Sequence, residues 1–263
     1  MRERGERQII PKELRRKAAS FVWEEMLDRN NLEFSASSQQ NLTDANQLLK
    51  ESSLVAYLNH STQKEDVIIS VVLAFNYLTN AKRIIGPAAM RHYDLFRDPK
   101  HAIPLRMLKP LGIEFFPIVQ PLEIDKNAGV YNDERTQKMS NKLKEATMEA
   151  VRNPGSIFGI TPEGTRNDNG ALINARRGIG YLESYDPDHS LYYLPVALVL
   201  PSFSNNPKIE VGKALKLNEI IPDLKELPDN PKIRAQFLTD IHMQRLARML
   251  PEEMRGVYSS DNH

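Results

Sequence analysis

The sequence predicts an α/β fold: a mixed, largely parallel sheet flanked by helices, with an N-terminal amphipathic helix before it and a C-terminal helix after it. Three observations lead there. The chain has 263 residues, enough to bury a full core as one sizeable domain with an appended helical segment. Through its middle, short apolar runs alternate with amphipathic segments, as strands joined by helices do. A proline-punctuated stretch, 222–231, sets a last helix apart from those runs.

Taken in order, the first twenty residues hold Arg2, Arg4, Arg7, Lys12, Arg15, Arg16 and Lys17 against Glu3, Glu6 and Glu13. That local cationic excess suits anionic lipid. From Pro11, placed as a first-turn proline, residues 11–28 set Leu14, Ala18, Phe21, Val22 and Met26 on one stripe, with Trp23 and Leu27 beside it. Such a helix can dock on a bilayer or pack on the core with a solvated basic end, and spacing does not separate the two. Residues 35–41 read as a polar, turn-rich stretch. Strands are expected over 54–58, 83–86, 114–119, 156–160, 194–200 and 208–211. Residues 67–80 are apolar nearly all round and should form a buried helix, whereas 133–152 are highly charged with a narrow apolar stripe and should form a surface one. A proline-punctuated connector, 222–231, leads to a last helix over 233–250 that Pro251 helps to stop. The expected organisation is an N-terminal helical segment over 1–45, a main domain over 46–220 and a connector with C-terminal helix over 221–263.

Composition narrows the function. Lysine and arginine number 35 against 34 aspartates and glutamates, so no global field draws the chain to nucleic acid. With no cysteine there is no thiolate nucleophile, no disulfide and no cysteine-ligated zinc. The N-terminus lacks the apolar core of a secretory signal, and the most apolar run, 67–75, is far shorter than the roughly 20 residues that span a bilayer. The expectation is a cytoplasmic protein that meets the inner membrane face peripherally, if at all.

Two segments carry chemistry. In the first, an apolar strand ends at Tyr57-Leu58, a polar turn follows through Asn59 and His60, and Glu65 and Asp66 open an apolar helix. A histidine at a strand end, with a carboxylate five residues on, can have one ring nitrogen fixed by the acid while the other faces a substrate hydroxyl, which is the geometry of an oriented general base. The plainer alternative is that Glu65 and Asp66 complement a helix dipole while His60 caps a turn. In the second segment a strand breaks into Thr161-Pro162-Glu163-Gly164-Thr165-Arg166. Gly164 lets the backbone approach something closely, Arg166 offers a fork of donors suited to phosphate, and Glu163 can orient that fork or a neighbouring donor. Arg176 and Arg177 can line the same cleft or start an exposed basic helix.

Together these segments resemble the first and third signature blocks of the glycerolipid acyltransferase family, which includes glycerol-3-phosphate and 1-acylglycerol-3-phosphate O-acyltransferases. Asn59, His60 and a carboxylate at Glu65 are similar to the family's N-H-x-x-x-x-D block. Pro162, Glu163, Gly164, Thr165 and Arg166, followed by Gly170 and Arg176-Arg177-Gly178, are similar to its F-P-E-G-T-R-S block and basic turn. Tyr193-Leu194-Pro195-Val196 resembles the fourth block, and Gly212-Lys213 the closing turn, so the likeness covers residues 54–217. Two departures stand out. Glu65 stands where the family has aspartate, with Asp66 one residue late. The strand over 112–119 lacks the second-block arginine, whose charge would have to come from Arg106, Lys109 or Arg177.

The resemblance implies acyl transfer from a thioester, acyl-CoA or acyl carrier protein, to a glycerophosphate or lysophospholipid hydroxyl without an acyl-enzyme. It implies catalytic roles for His60 with Glu65 or Asp66, and substrate binding by Asn59, Glu163, Gly164, Thr165, Arg166 and Arg177. Backbone donors around Gly164 would be the candidates for holding the oxyanion. It implies no tightly bound cofactor, and as partners a lipid or glycerophosphate acceptor, a membrane surface and an acyl carrier protein. The departures also suit a non-catalytic descendant that binds lipid or a partner. No phosphate-binding G-x-x-x-x-G-K loop occurs, Gly178-Ile179-Gly180 lacks the third glycine of a dinucleotide site, and Ser156 is misplaced for a nucleophile elbow. His92-Tyr93-Asp94 and Asp186-Pro187-Asp188-His189 read as surface turns, and no metal is assigned.

Overall fold

In the computed structural model the described residues are 13–14, 17, 24, 33–60, 73–74, 76–89, 108–109, 112–118, 133–167, 169–199 and 207–259. Eight strands form one sheet: β1 (Glu33–Phe34), β2 (Leu54–Leu58), β3 (Arg83–Ala89), β4 (Ile113–Ile118), β5 (Ser156–Ile160), β6 (Tyr192–Val199), β7 (Lys208–Val211) and β8 (Leu215–Lys216). They lie in the order β1-β7-β6-β2-β5-β3-β4, with β8 also on β6. From β6 to β4 every pairing is parallel, and β7 and β8 run antiparallel to β6. The sheet is therefore mixed and largely parallel, as expected. Four described helices accompany it: α1 (Ala36–Leu48), α2 (Asp133–Arg152), α3 (Leu217–Ile220) and α4 (Pro231–Ala247).

Side chains alternate faces along a strand, and β2 shows what that does here. Leu54 and Leu58 enter one apolar cluster with Leu42, Ala45 and Leu49 from α1 and its end, and with Leu73, Ala74 and Leu78. Val55 and Tyr57 enter the opposite cluster, with Ala146 and Ala150 of α2 and Leu238, Met243 and Leu246 of α4. A parallel sheet buried on both faces follows, which is why its strands read as near-continuous apolar runs. Among the described residues the charged helix α2 turns Met139, Leu143, Ala146, Thr147, Ala150 and Val151 inward, the narrow stripe its sequence carries.

Some expectations are corrected. Residues 35–41 are not a turn: Ser35 caps α1, its hydroxyl accepting from the Ser38 N–H, and the helix runs across the boundary placed at residue 45. The last helix starts earlier than expected, because Asn230 caps it and Pro231 occupies the first turn, where no N–H is needed. Of the buried helix expected over 67–80, Leu73, Ala74, Asn76 and Tyr77 are helical and the chain turns at Thr79; residues 67–72 and 75 lie outside the described residues. The amphipathic helix over 11–28 is described only at Glu13, Leu14, Lys17 and Glu24, which are helical. Among the described residues no helix is long and apolar enough to cross a membrane.

α4 is held to the sheet by a ring stack. The His242 imidazole lies over Tyr193 of β6 at 4.4 Å between centroids and meets Tyr57 of β2 edge-on at 5.2 Å. Burial holds His242 neutral, lowering its pKa from 6.5 to about 3, with the charge of Arg245 acting in the same direction. The unfolded chain takes up a proton on this ring below pH 6.5 and the folded chain does not until about pH 3, so its contribution to stability is full above 6.5 and is lost as pH falls towards 3. His242→Phe should flatten stability against pH by up to about 1.4 kcal/mol per pH unit between pH 6.5 and 4.5 relative to wild type, as read from urea unfolding. Parallel curves for the two proteins would show that the ring is not buried neutral.

Candidate active site

The ends of β2 and β5 meet at the centre of the sheet. Their register pairs Tyr57 with Ile160, so three residues further on His60 faces Glu163. The two turns are joined there: the His60 backbone N–H donates to the Glu163 carboxylate at 2.7 Å. The same carboxylate accepts from the Ile173 N–H at 3.3 Å. Glu163 is only 2 % exposed, and a carboxylate so buried needs such donors. The bond ties the Glu163 carboxylate to the backbone of His60. The imidazole-bearing residue is half-buried, at the rim rather than in the core.

The turn after β5 is built around Gly164. Its N–H donates to the Thr161 carbonyl at 3.0 Å and its φ is +68°, a conformation that side-chain-bearing residues rarely adopt. That amide is therefore engaged in the turn. The close approach expected of the glycine is made by Arg176, whose Cδ would stand 3.0 Å from a β-carbon at residue 164. Arg176 also donates its N–H to the Pro162 carbonyl at 2.8 Å. Thr165 and Arg166 are exposed beyond this turn, and Arg177 is exposed one residue after Arg176. Sequence reasoning chose Arg177 of the basic pair. The structure brings Arg176 against the turn, a choice that only the buried positions of Ala175 and Ile179 on either side, invisible in the sequence, could have indicated. No basic helix starts here: residues 171–176 are irregular, followed by a turn and a 3-10 helix, Gly180–Tyr185.

Asn59 is corrected from substrate binding to scaffolding. It is 1 % exposed, its amide nitrogen donates to the Leu198 carbonyl at 3.0 Å, and its oxygen accepts from the Leu198 N–H at 2.8 Å. The side chain thus extends the β2–β6 pairing by one rung beyond Leu58–Val196. His60 leaves the sheet from a residue clamped on both sides, by Leu198 and by Glu163.

The far side of the loop is held by the C-terminal region. The Tyr258 hydroxyl accepts from the Ala175 N–H at 3.1 Å and donates to Asp240 at 3.0 Å. Gln236 donates to the Ala175 carbonyl at 3.3 Å, and Leu172 exchanges backbone bonds with Met254 and Val257. Gly180 lies so near α4 that a β-carbon there would stand 1.9 Å from the Ala235 carbonyl oxygen, so its glycine serves packing rather than nucleotide binding.

Glu65, Asp66 and Arg106 lie outside the described residues, as do His92 and Asp94. Further along the chain, Leu73, Ala74 and Leu78 lie on the Leu54–Leu58 face of β2. Lys109 is corrected as a source of the missing charge: it pairs with Glu114, which also meets Arg83. Glu114 is level with Val55 across the sheet, so it stands about five residues, or roughly 16 Å, short of the His60 end. Asp186 accepts from the Ser190 and Leu191 N–H groups and the Ser190 hydroxyl, a turn-stabilising role, and no cluster that could hold a metal occurs among the described residues.

No protein-family model matches the chain, and no curated protein matches it.

Removing the carboxylate would take the acceptor from two part-buried N–H groups. Glu163→Ala is expected to lower the free energy of unfolding by about 1–3 kcal/mol. An unchanged urea midpoint would mean that the carboxylate does not tie the two turns.

Proposed function

We propose that this chain transfers a fatty acyl group from an acyl thioester to the hydroxyl of a glycerophosphate or lysophospholipid. The observation that carries the reading is the bond between the His60 amide and Glu163, which sets an imidazole-bearing residue and an arginine-bearing turn side by side at two parallel strand ends. Ligands of open α/β sheets collect at such carboxyl ends.

In this reading the acceptor hydroxyl gives its proton to the His60 imidazole as its oxygen attacks the thioester carbonyl. The C–O bond forms, the tetrahedral centre collapses, the C–S bond breaks, and the departing thiolate takes the proton back from the imidazolium. Glu65 or Asp66 would hold the other ring nitrogen. No side-chain nucleophile is needed, in keeping with a chain that has no cysteine. Arg166, exposed at the mouth of the turn, would fix the acceptor's phosphate, and Arg176 with Arg177 would supply the charge that the strand over 112–119 lacks. Coenzyme A or acyl carrier protein would bring the acyl group.

The test is a purified protein, both thioester donors and a panel of phosphate-bearing acceptors, with products identified by mass. His60→Ala should cut turnover by about 10² to 10⁴ and leave the melting temperature unchanged; full activity in the variant would reject the base. Arg166→Ala should raise the acceptor KM by about tenfold or more, the weight of a hydrogen bond to a charged group, with a smaller change in kcat. A variant with the wild-type KM would take the phosphate from Arg166. Binding of a lysolipid with no thioester consumed by wild type would instead make the cleft a lipid-binding one.

A further inference from the structure

The loop over 171–178 is held along two edges, by different parts of the molecule. Its inner edge is tied to the turn after β5, through the Ile173 N–H on Glu163 and the Arg176 N–H on the Pro162 carbonyl. Its outer edge is tied to the C-terminal region, where side chains take both backbone groups of Ala175. The Tyr258 hydroxyl accepts from the Ala175 N–H at 3.1 Å, and Gln236 donates to the Ala175 carbonyl at 3.3 Å. Asp240 joins those two side chains, accepting from the Gln236 amide and from the Tyr258 hydroxyl at 3.0 Å each. One carboxylate thus orients both partners of one buried residue.

Ala175 directly precedes the basic pair, so its placement decides where the pair stands. Its N–H belongs to the peptide before it and its carbonyl to the peptide leading into Arg176, so the two bonds orient both planes. Arg176 follows, half-buried with its side chain against Gly164, and then Arg177, exposed. The tail that brings Tyr258 has anchors of its own on the same loop. Leu172 donates to the Met254 carbonyl at 2.9 Å and accepts from the Val257 N–H at 3.2 Å. Phenylalanine would fill the apolar space of Tyr258, which is 9 % exposed, so what the hydroxyl adds is the pair of bonds to Ala175 and Asp240. Burial raises the phenol above its ordinary pKa, as do the charges of Asp240 and Glu163, outweighing the Ala175 N–H, so the hydroxyl keeps the proton it donates.

We propose that Tyr258, with Gln236 and Asp240, is a positioning group for a phosphomonoester site: by orienting the peptides around Ala175 it sets Arg176 and Arg177 for the phosphate of the acceptor. It touches no reacting atom, and its effect falls on binding rather than on the chemical step. The inference rests on the acyl-transfer reading for the identity of its ligand, whereas the hydrogen bonds that do the positioning stand apart from that reading.

The experiment is calorimetric titration of the full chain with glycerol 3-phosphate and with 1-acylglycerol 3-phosphate, alongside thioester turnover with the same acceptors. Wild type is expected to bind at least one of them. Tyr258→Phe should bind it about three- to tenfold more weakly, the weight of one neutral hydrogen bond, and raise its KM by the same factor while kcat changes by less than about twofold. Gln236→Leu should act in the same direction. Ser53→Ala is the control: it loses buried hydrogen bonds to the Ala150 and Asn153 carbonyls just before β2, away from the arginine loop, and should lower the melting temperature without changing acceptor binding. Unchanged binding in Tyr258→Phe overturns the proposal, and so does equal weakening in Ser53→Ala, which would reduce the effect to lost stability. In an Arg176→Ala/Arg177→Ala background the tyrosine substitution should add less than about twofold. A full further loss there overturns the route through the arginines, and a wild type that binds neither acceptor overturns the site itself. Binding that responds as expected while no thioester is consumed would reject the acyl-transfer reading and leave the positioning in place.

Discussion

The site depends on one buried carboxylate. Glu163 takes hydrogen bonds from two backbone amides ten residues apart in one case and 103 apart in the other, so a single side chain joins the end of β2, the end of β5 and the loop that follows. Desolvating a carboxylate is costly, and the cost is met only if the donors are in place. His60 is thereby tied through its backbone to the turn that carries Arg166. Asn59 adds the second constraint, fixing the preceding residue to β6 through both atoms of its amide.

The double-faced burial of the sheet determines what surrounds those strand ends. One face is closed by α1 and by Leu73, Ala74 and Leu78, the other by α2 and α4. On the α4 side the contact includes a histidine between two tyrosines, with the Tyr57 hydroxyl, His242 Nδ1 and Arg245 Nη1 buried without a hydrogen-bond partner. Unpaired polar atoms in a core cost stability. The helix keeps its place through the apolar residues around them, Leu238, Met243 and Leu246.

Much of this architecture was legible in the sequence because burial on both faces leaves a strong signal. The strands at 54–58, 156–160 and 208–211 have the ends expected, since apolar runs there stop at polar or turn-forming residues. α2 matches because charge and a narrow apolar stripe alternate with helical period. Residues 35–41, at the start of α1, read as turn because they are rich in serine, glutamine and asparagine, each a residue that also stabilises turns; three buried apolar positions, Leu42, Ala45 and Leu49, outweigh that local preference. β1 and β8 are two residues each, too short for any pattern to register. The juxtaposition of His60 with the Glu163 turn was legible through two strand ends. The roles of Asn59, Arg176 and Tyr258 were not, because each follows from a long-range bond or packing contact that spacing along the chain does not encode.

Tyr258 holds the Ala175 amide from 83 residues further along the chain. At translation rates of about 5–20 residues per second, the loop carrying the arginines waits several seconds for the residue that fastens it. When Ala175 emerges only β1 to β5 have been made, β6 and β7 follow during the wait, and the sheet face where α4 will dock is meanwhile open to chaperones or to misassembly. Fastening of the Ala175 loop is thus a late event in biogenesis, governed by the arrival of Tyr258 rather than by assembly of the sheet.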